Sequence, residues 1–201
     1  MKRGGLSALA GTLLLAGCGF LQPVVEPPMT MLLLDRMPAD VPRAARQLPA
    51  SLLVYPPQAG PLVDTTRMAY TLRPHHLAYY SQNEWAESPP RMLHPLLVRV
   101  LDATGRFTSV LVPPRSGAAA YALRSEVLEL VQDYTQDPPV VRLVLRLQLA
   151  DERGNRGVGT REIRVQEALR EKTPYAGVAA ANAAVVRALR EVAGFVVEST
   201  P

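Results

Sequence analysis

The residues best suited to metal or proton chemistry are three histidines, His75, His76 and His94, and their spacing argues against both roles. His75 and His76 are adjacent in an expected turn, so their side chains diverge and cannot chelate as a pair one helical turn apart would. No His-x-x-x-His pair and no Asp-x-Asp-x-Asp run accompanies them. Glu84 and Glu87 have the chemistry of an acid and a base, but carboxylates at that spacing read equally well as surface charge. Gly154, Gly157 and Gly159 lack a phosphate-loop lysine and a following helix, which makes a hairpin turn the better reading. No Gly-x-Ser-x-Gly elbow occurs. Nothing here supports an enzyme, a metal or a cofactor, and a hydrolase with an unrecognised site is the weakest open alternative.

One reactive side chain remains, the single cysteine Cys18. Met1-Lys2-Arg3 is a short positive segment, and Leu6 to Ala16 is a run of leucines and small residues. About eleven apolar residues are too few for a bilayer span, which needs roughly twenty, but they fit a secretory leader. Leu15-Ala16-Gly17-Cys18 resembles a bacterial lipobox. That resemblance implies cleavage before Cys18, diacylation of its thiol and acylation of the new amine. A plain signal peptide, or a buried helix with an incidental cysteine, is the competing reading. Several acyl chains on one residue anchor firmly, at about 0.8 kcal/mol per buried methylene. Gly19 and Phe20 follow, without the aspartate that retains lipoproteins in the inner membrane of enterobacteria. The resemblance therefore implies the periplasmic face of the outer membrane, with the inner membrane as the alternative.

Composition agrees with a lipid-anchored globular domain. The chain has 201 residues, 48% hydrophobic and 20% charged, which excludes both a disordered chain and a polytopic membrane protein. One cysteine excludes an intrachain disulfide framework and a multi-thiolate metal site. Loss of Lys2 and Arg3 with the leader takes 22 basic residues to 20 against 18 acidic ones, so the net charge falls from +4 to +2. No basic cluster with interleaved aromatics suggests nucleic acid. The expected organisation is a signal peptide at 1–17, a lipidated cysteine with a proline-rich tether at 18–29, and one domain at 30–201. Eleven tether residues, Gly19 to Met29, reach about 34 Å as polyproline II at ~3.1 Å each.

The elements that must position any site follow. Strands are expected at Thr30 to Asp35 and Ser51 to Tyr55, then a hairpin from Thr66 to Leu72 and Leu77 to Ser81 around Arg73-Pro74-His75-His76. Asn83 to Pro90 reads as a loop carrying Trp85. Met92, Leu93, Leu96, Leu97, Val100 and Leu101 form a helical stripe over about 89–104, with Ser88 as cap and Gly105 as stop. Pro95 implies either a start near Arg91 or a bend. Thr108 to Val112 is a short strand. Tyr121 to Tyr134 changes phase between Leu123 and Leu128, which predicts a bulged strand, with a helix as the alternative. Val141, Leu143, Leu145, Leu147 and Leu149 alternate with Arg142, Val144, Arg146, Gln148 and Ala150 in the clearest strand, which turns back at 154–157 into Val158 to Ala168. Thr173-Pro174 then caps a second helix, with Val178, Asn182, Val185, Leu189, Val192 and Val196 along one stripe. The expected class is α+β, a mainly antiparallel sheet with two helices on one face, behind the lipidated tether.

Three stretches carry a family resemblance. They are Arg67-Met68-Ala69-Tyr70, Tyr79 through Trp85-Ala86, and the Met92 to Leu101 helix closed by Gly105-Arg106-Phe107. In that order behind a lipobox they resemble the ABC-type transport auxiliary lipoproteins, which include the Pqi-system outer-membrane lipoprotein. The resemblance implies a non-enzymatic component of an ABC-type lipid or solvent-tolerance transporter. Its implied partners are an ATPase, a permease and a periplasmic substrate-binding protein of the mammalian-cell-entry type, with a homo-oligomer also open. The competing class is a lipoprotein cofactor of cell-wall synthesis or outer-membrane assembly without a transporter. Tyr70, Tyr79, Tyr80 and Trp85 gather much of a scarce aromatic supply within sixteen positions and are the candidate docking residues. For Tyr70 and Trp85 a core wedge is the stronger reading. Tyr79 and Tyr80 must point to opposite sheet faces, which makes one of them the better docking candidate.

Overall fold

The structure, a computed structural model, describes residues 28–114 and 119–201. The signal peptide, Cys18 and all of the tether up to residue 27 lie outside the described residues. Nine strands and two helices follow in the order β1 (Thr30–Leu32), β2 (Leu48–Val54), β3 (Gln58–Ala59), β4 (Arg67–Thr71), β5 (Ala78–Trp85), α1 (Pro89–Ala103), β6 (Phe107–Leu111), β7 (Tyr121–Asp133), β8 (Val140–Asp151), β9 (Arg156–Ala168) and α2 (Pro174–Ser199).

The long strand β7 organises the sheet. Along one edge it pairs antiparallel with β8 over its whole length, from Tyr121↔Asp151 to Asp133↔Val140, and β9 extends that ribbon. Its other edge is shared by three short strands that run parallel to it: β2 at 121–123, β3 at 126–127 and β4 at 131–133. Beyond β2 lies β6, parallel; beyond β4 lie β5, antiparallel, and then β1, parallel to β5. The class is α+β as expected, but the sheet is mixed. Alternation of apolar residues fixes the face that a strand buries and says nothing of the direction of its neighbours. The parallel pairs are permitted because long connections, including α1, carry the chain back between them.

The phase change in β7 is a bulge. Val127 faces Leu145 and Glu129 faces Val144, so Leu128 is the extra residue. Leu123 and Val127 before it, and Leu130 after it, therefore all reach the same core. Gly60 lies against this point: a Cβ there would stand 2.9 Å from the Val127 carbonyl oxygen, and its own N–H donates to that oxygen at 2.8 Å.

Both helices cover one face of the sheet. The inward residues of β8, Val141 to Leu149 at every second position, are all fully buried. α2 packs on β8 and β9 and against α1, through valines, leucines and many alanines that let the backbones approach closely. The six apolar residues of the α1 stripe are buried against the same core. Each such leucine contributes about 1.5–3 kcal/mol relative to exposure. Thr173 caps α2, its hydroxyl accepting from the Ala176 N–H at 3.1 Å. Ser88 precedes α1 but makes no side-chain cap; Pro89 and Pro90 occupy the donor-free first turn instead. α1 begins at Pro89, not near Arg91, and continues through Pro95. Arg91 and Pro95 are both exposed, so the helical hydrogen bond that Pro95 removes falls on the solvent side of α1. Gly105 adopts φ +63°, which ends the helix without a Cβ penalty.

Two further expectations change. β1 stops at Leu32 instead of Asp35, because the next residues turn their main chain to α2. Asn182 there accepts from the Asp35 and Arg36 N–H groups (3.0 and 3.1 Å) and donates to the Leu33 carbonyl (2.9 Å). Trp85 ends β5 instead of lying in a loop, pairing with Leu32 and donating its N–H to the Thr66 carbonyl. Among the described residues, no helix is long and apolar enough to cross a membrane.

Candidate functional site

The four aromatic candidates do not form one surface. Trp85 is 4% exposed and belongs to the main core. Tyr70 of β4 and Tyr80 of β5 point to the helix-covered side, while Tyr79 lies on the open side beneath the Arg67 guanidinium, 4.0 Å from its ring centre. Strand register explains the division. Tyr70 pairs with Ala78 and with Gln132, which puts Tyr70, Tyr80 and Gln132 on one face. Ala69 pairs with Tyr79, on the other.

Tyr134, just beyond β7, completes the covered group. Its ring stands edge-on to Tyr70 with centres 6.3 Å apart, and Tyr70 and Tyr80 lie 4.6 Å apart. The Tyr80 and Tyr134 hydroxyls lie 2.9 and 3.0 Å from the Gln132 Oε1 atom and 2.8 Å from each other, so with one proton each they share two hydrogen bonds among the three oxygens. Gln132 is buried, and its Nε2 has no hydrogen-bond partner. It packs against Gly177 in the first turns of α2, where a Cβ would overlap the amide. Burial first, then the hydrogen bond with Tyr134, pushes the Tyr80 phenol well above the ordinary tyrosine range. The hydroxyl therefore stays neutral and is held as a structural donor.

The rings open on a shallow recess of about 370 Å³ lined by Tyr70, Leu72, Tyr80, Tyr134, Lys172 and Pro174. Leu72 is 62% exposed at its rim. Rings locked by mutual packing lose little entropy on contact, which suits a recess that receives an apolar or planar side chain. Its hydroxyls are already engaged with one another and with Gln132, so they offer positioning and contact area.

The open face of the sheet has different chemistry. Arg146 lies between Glu126 and Glu162 on adjacent strands, at 3.1 and 3.6 Å. Arg142 reaches Glu129 at 2.6 Å and also Asp133. Burial raises the Asp133 carboxyl, but the Thr135 hydroxyl and N–H, the Gln136 amide and Arg142 outweigh it and hold it below the ordinary aspartate range. His75 sits at positive φ in the exposed β4–β5 turn beside exposed His76, and His94 on α1 lies 3.2 Å from the Val54 carbonyl oxygen. Among the described residues no group of three or more His, Cys, Asp or Glu could hold a metal ion.

Sequence reasoning missed three polar residues that hold this architecture. Tyr134 and Gln132 are one group; the signal for Gln132 was a polar residue at an inward position of an apolar strand. Arg106 is the other: 6% exposed, it donates to the Thr200 hydroxyl (2.8 Å), the Thr200 carbonyl (2.7 Å) and the Arg46 carbonyl (2.8 Å). It thereby ties the α1–β6 corner to the C-terminal end of α2, where a cation is favoured.

The model of a family described as the ABC-type transport auxiliary lipoprotein component matches residues 32–193. No curated protein matches the chain significantly. Among solved structures, protein XCC0632 from Xanthomonas campestris is similar with a TM-score of 0.73 and 24% identity, over 87% of this chain and 96% of that one. The hypothetical protein CT253 from Chlamydia trachomatis is similar with a TM-score of 0.54 and 12% identity, over 76% of this chain and 98% of that one. At these identities the structures show a shared fold.

Proposed function

The chain belongs to the ABC-type transport auxiliary lipoprotein family, and on that premise we propose that it is the non-enzymatic outer-membrane component of a lipid or solvent-tolerance transporter. The family match over residues 32–193 is the observation that carries this reading. Acylated Cys18 holds the domain at the periplasmic face of the outer membrane, and the folded domain docks the periplasmic substrate-binding protein of the mammalian-cell-entry type. Lipid then crosses between the membranes with energy from the partner ATPase.

Two features support docking as the mode of action. The tyrosine recess is a preformed aromatic surface of the kind that dominates interface energetics. On the open face, Tyr79 with Arg67 offers a second aromatic–cation pair for a partner to cover. Tyr79 and Tyr80 thus report on two different surfaces, Tyr70 shares the recess with Tyr80, and buried Trp85 supports β5 from beneath.

Purification of the tagged, lipidated chain from membranes, with identification of what comes with it, tests the reading. Recovery of the permease, the ATPase and the substrate-binding protein is the expected result. Recovery of cell-wall synthases or outer-membrane assembly factors alone sinks the transporter reading.

A further inference from the structure

Four of the exposed large apolar side chains fall on two segments, residues 29–33 and the start of α2. Met29, Met31 and Leu33 alternate outward with 49%, 65% and 53% of their surface exposed, and Tyr175, at the start of α2, is 74% exposed. Met31, Leu33 and Tyr175 line the same groove, about 740 Å³, between residues 31–37 and the outer side of α2. The ridge is rigidly presented, because Asn182 clamps the main chain at Leu33, Asp35 and Arg36. Leu32, between Met31 and Leu33, packs against the core, and Leu34, just after them, is buried in it, which fixes the direction of the outward residues.

We infer that this ridge rests on the lipid bilayer in which the chain is anchored, with Met29, Met31, Leu33 and Tyr175 in the headgroup and upper acyl region. The inference relies on the acylated Cys18 of the proposed function. The length and position of the tether identify the occupant. Residues Gly19 to Met29 span about 34 Å as polyproline II and no more than about 40 Å fully extended, and they end on the ridge itself. The bilayer is therefore always within reach, whereas a soluble partner must find the ridge by diffusion. Four side chains are a small surface for binding a membrane from solution. Tethering makes the contact intramolecular, so a weak preference is enough to hold it.

Charge at the rim fits the same occupant. Arg187 pairs with Glu167 at 2.8 Å and Arg190 with Asp40 at 2.5 Å, so these groups neutralise one another beside the ridge. Arg36 makes no ion pair among the described residues and has its guanidinium available for a lipid phosphate. With the ridge toward the lipid, the open face of the sheet, which carries Arg164, lies away from the bilayer. The contact orients the domain and supplies what a flexible tether cannot.

Because the only cysteine is the acylated one, single replacements can be labelled selectively. The full lipidated chain carrying Met31→Cys, Tyr175→Cys or, on the open face, Arg164→Cys is labelled with an environment-sensitive nitrobenzoxadiazole. Each is reconstituted into phosphatidylethanolamine–phosphatidylglycerol vesicles containing shallow brominated lipids. The labels at 31 and 175 should lose about half their emission, as expected within ~5–10 Å of the headgroup boundary, and the label at 164 should keep its own. A chain that floats with the vesicles but is unquenched at 31 and 175, or is quenched equally at 164, overturns the inference and leaves the anchor standing. A chain that does not float overturns both. No transporter subunit is present, so none of these results bears on partner docking.

Discussion

The two faces of the sheet solve the same problem with different chemistry. On the helix-covered face, polar groups are few, buried and individually fixed. Gln132 collects two tyrosine hydroxyls, Asn182 binds the main chain of residues 33–36, and Arg106 binds the end of α2. On the open face the polar groups are many, charged and paired across strands, as in Glu126–Arg146–Glu162. The covered face has few alternatives to its native geometry, since each orphaned buried group costs about 1–3 kcal/mol. The open face can exchange its pairs for water or a partner at small cost, because exposed pairs contribute about 0–1 kcal/mol. Stability resides on one side and adaptability on the other.

Adjacent residues of β8 give the sharpest test of that contrast. Leu147 is fully buried and Arg146, its neighbour, has a side chain 48% exposed. Leu147→Ala should cost about 3 kcal/mol of unfolding free energy in a urea titration. An Arg146→Ala cost of similar size would break the division between the faces.

Asp133 is the exception that sharpens it, a carboxylate on the open side with only 2% of its side chain exposed. Asp133→Asn should cost about 2 kcal/mol at neutral pH. Its folded pKa lies below its unfolded one, so its contribution is fully present above the unfolded value, near 3.9, and is lost as pH falls through the folded value. The wild-type advantage over Asp133→Asn should therefore shrink between neutral pH and strongly acidic conditions. A difference that stays constant over that range contradicts the assignment.

Asn182→Ala should cost about 2 kcal/mol and selectively speed hydrogen exchange at the Asp35 and Arg36 amides. Uniform acceleration across α2 instead would mean that the amide serves the helix and not the clamp. The smallest effects distinguish the paired tyrosines. Tyr80→Phe should cost about 1 kcal/mol by removing a hydroxyl from the Gln132 group, and Tyr79→Phe close to nothing, by thermal denaturation. Equal losses would place both rings in the same environment.

Local signals made much of the fold legible. Thr173-Pro174 marked the start of α2, the alternation in β8 marked its buried face, and the broken parity in β7 marked its bulge. The strand neighbours were not legible, because β2, β3 and β4 join β7 through pairings that no local pattern encodes. The site was only half visible for the same reason. Tyr70 and Tyr80 stood out by proximity in sequence, but Tyr134 lies 54 residues beyond Tyr80 and reaches them only through the fold. Asn182 fitted a helical stripe by spacing, while its function depends on a segment 147 residues away. Arg106 stood between Gly105 and Phe107 as an unremarked position, and its burial follows from where α2 ends.

The proposed role as a docking component is tested most directly by site-specific photocrosslinking in intact cells. A photoreactive residue replacing Leu72, at the exposed rim of the tyrosine recess, samples the partner surface without disturbing the core. The account predicts a crosslink to the periplasmic substrate-binding protein, weakened when Tyr80→Ala is added to a chain that still folds. A crosslink only to cell-wall synthases or assembly factors, or none from a folded and anchored chain, contradicts it.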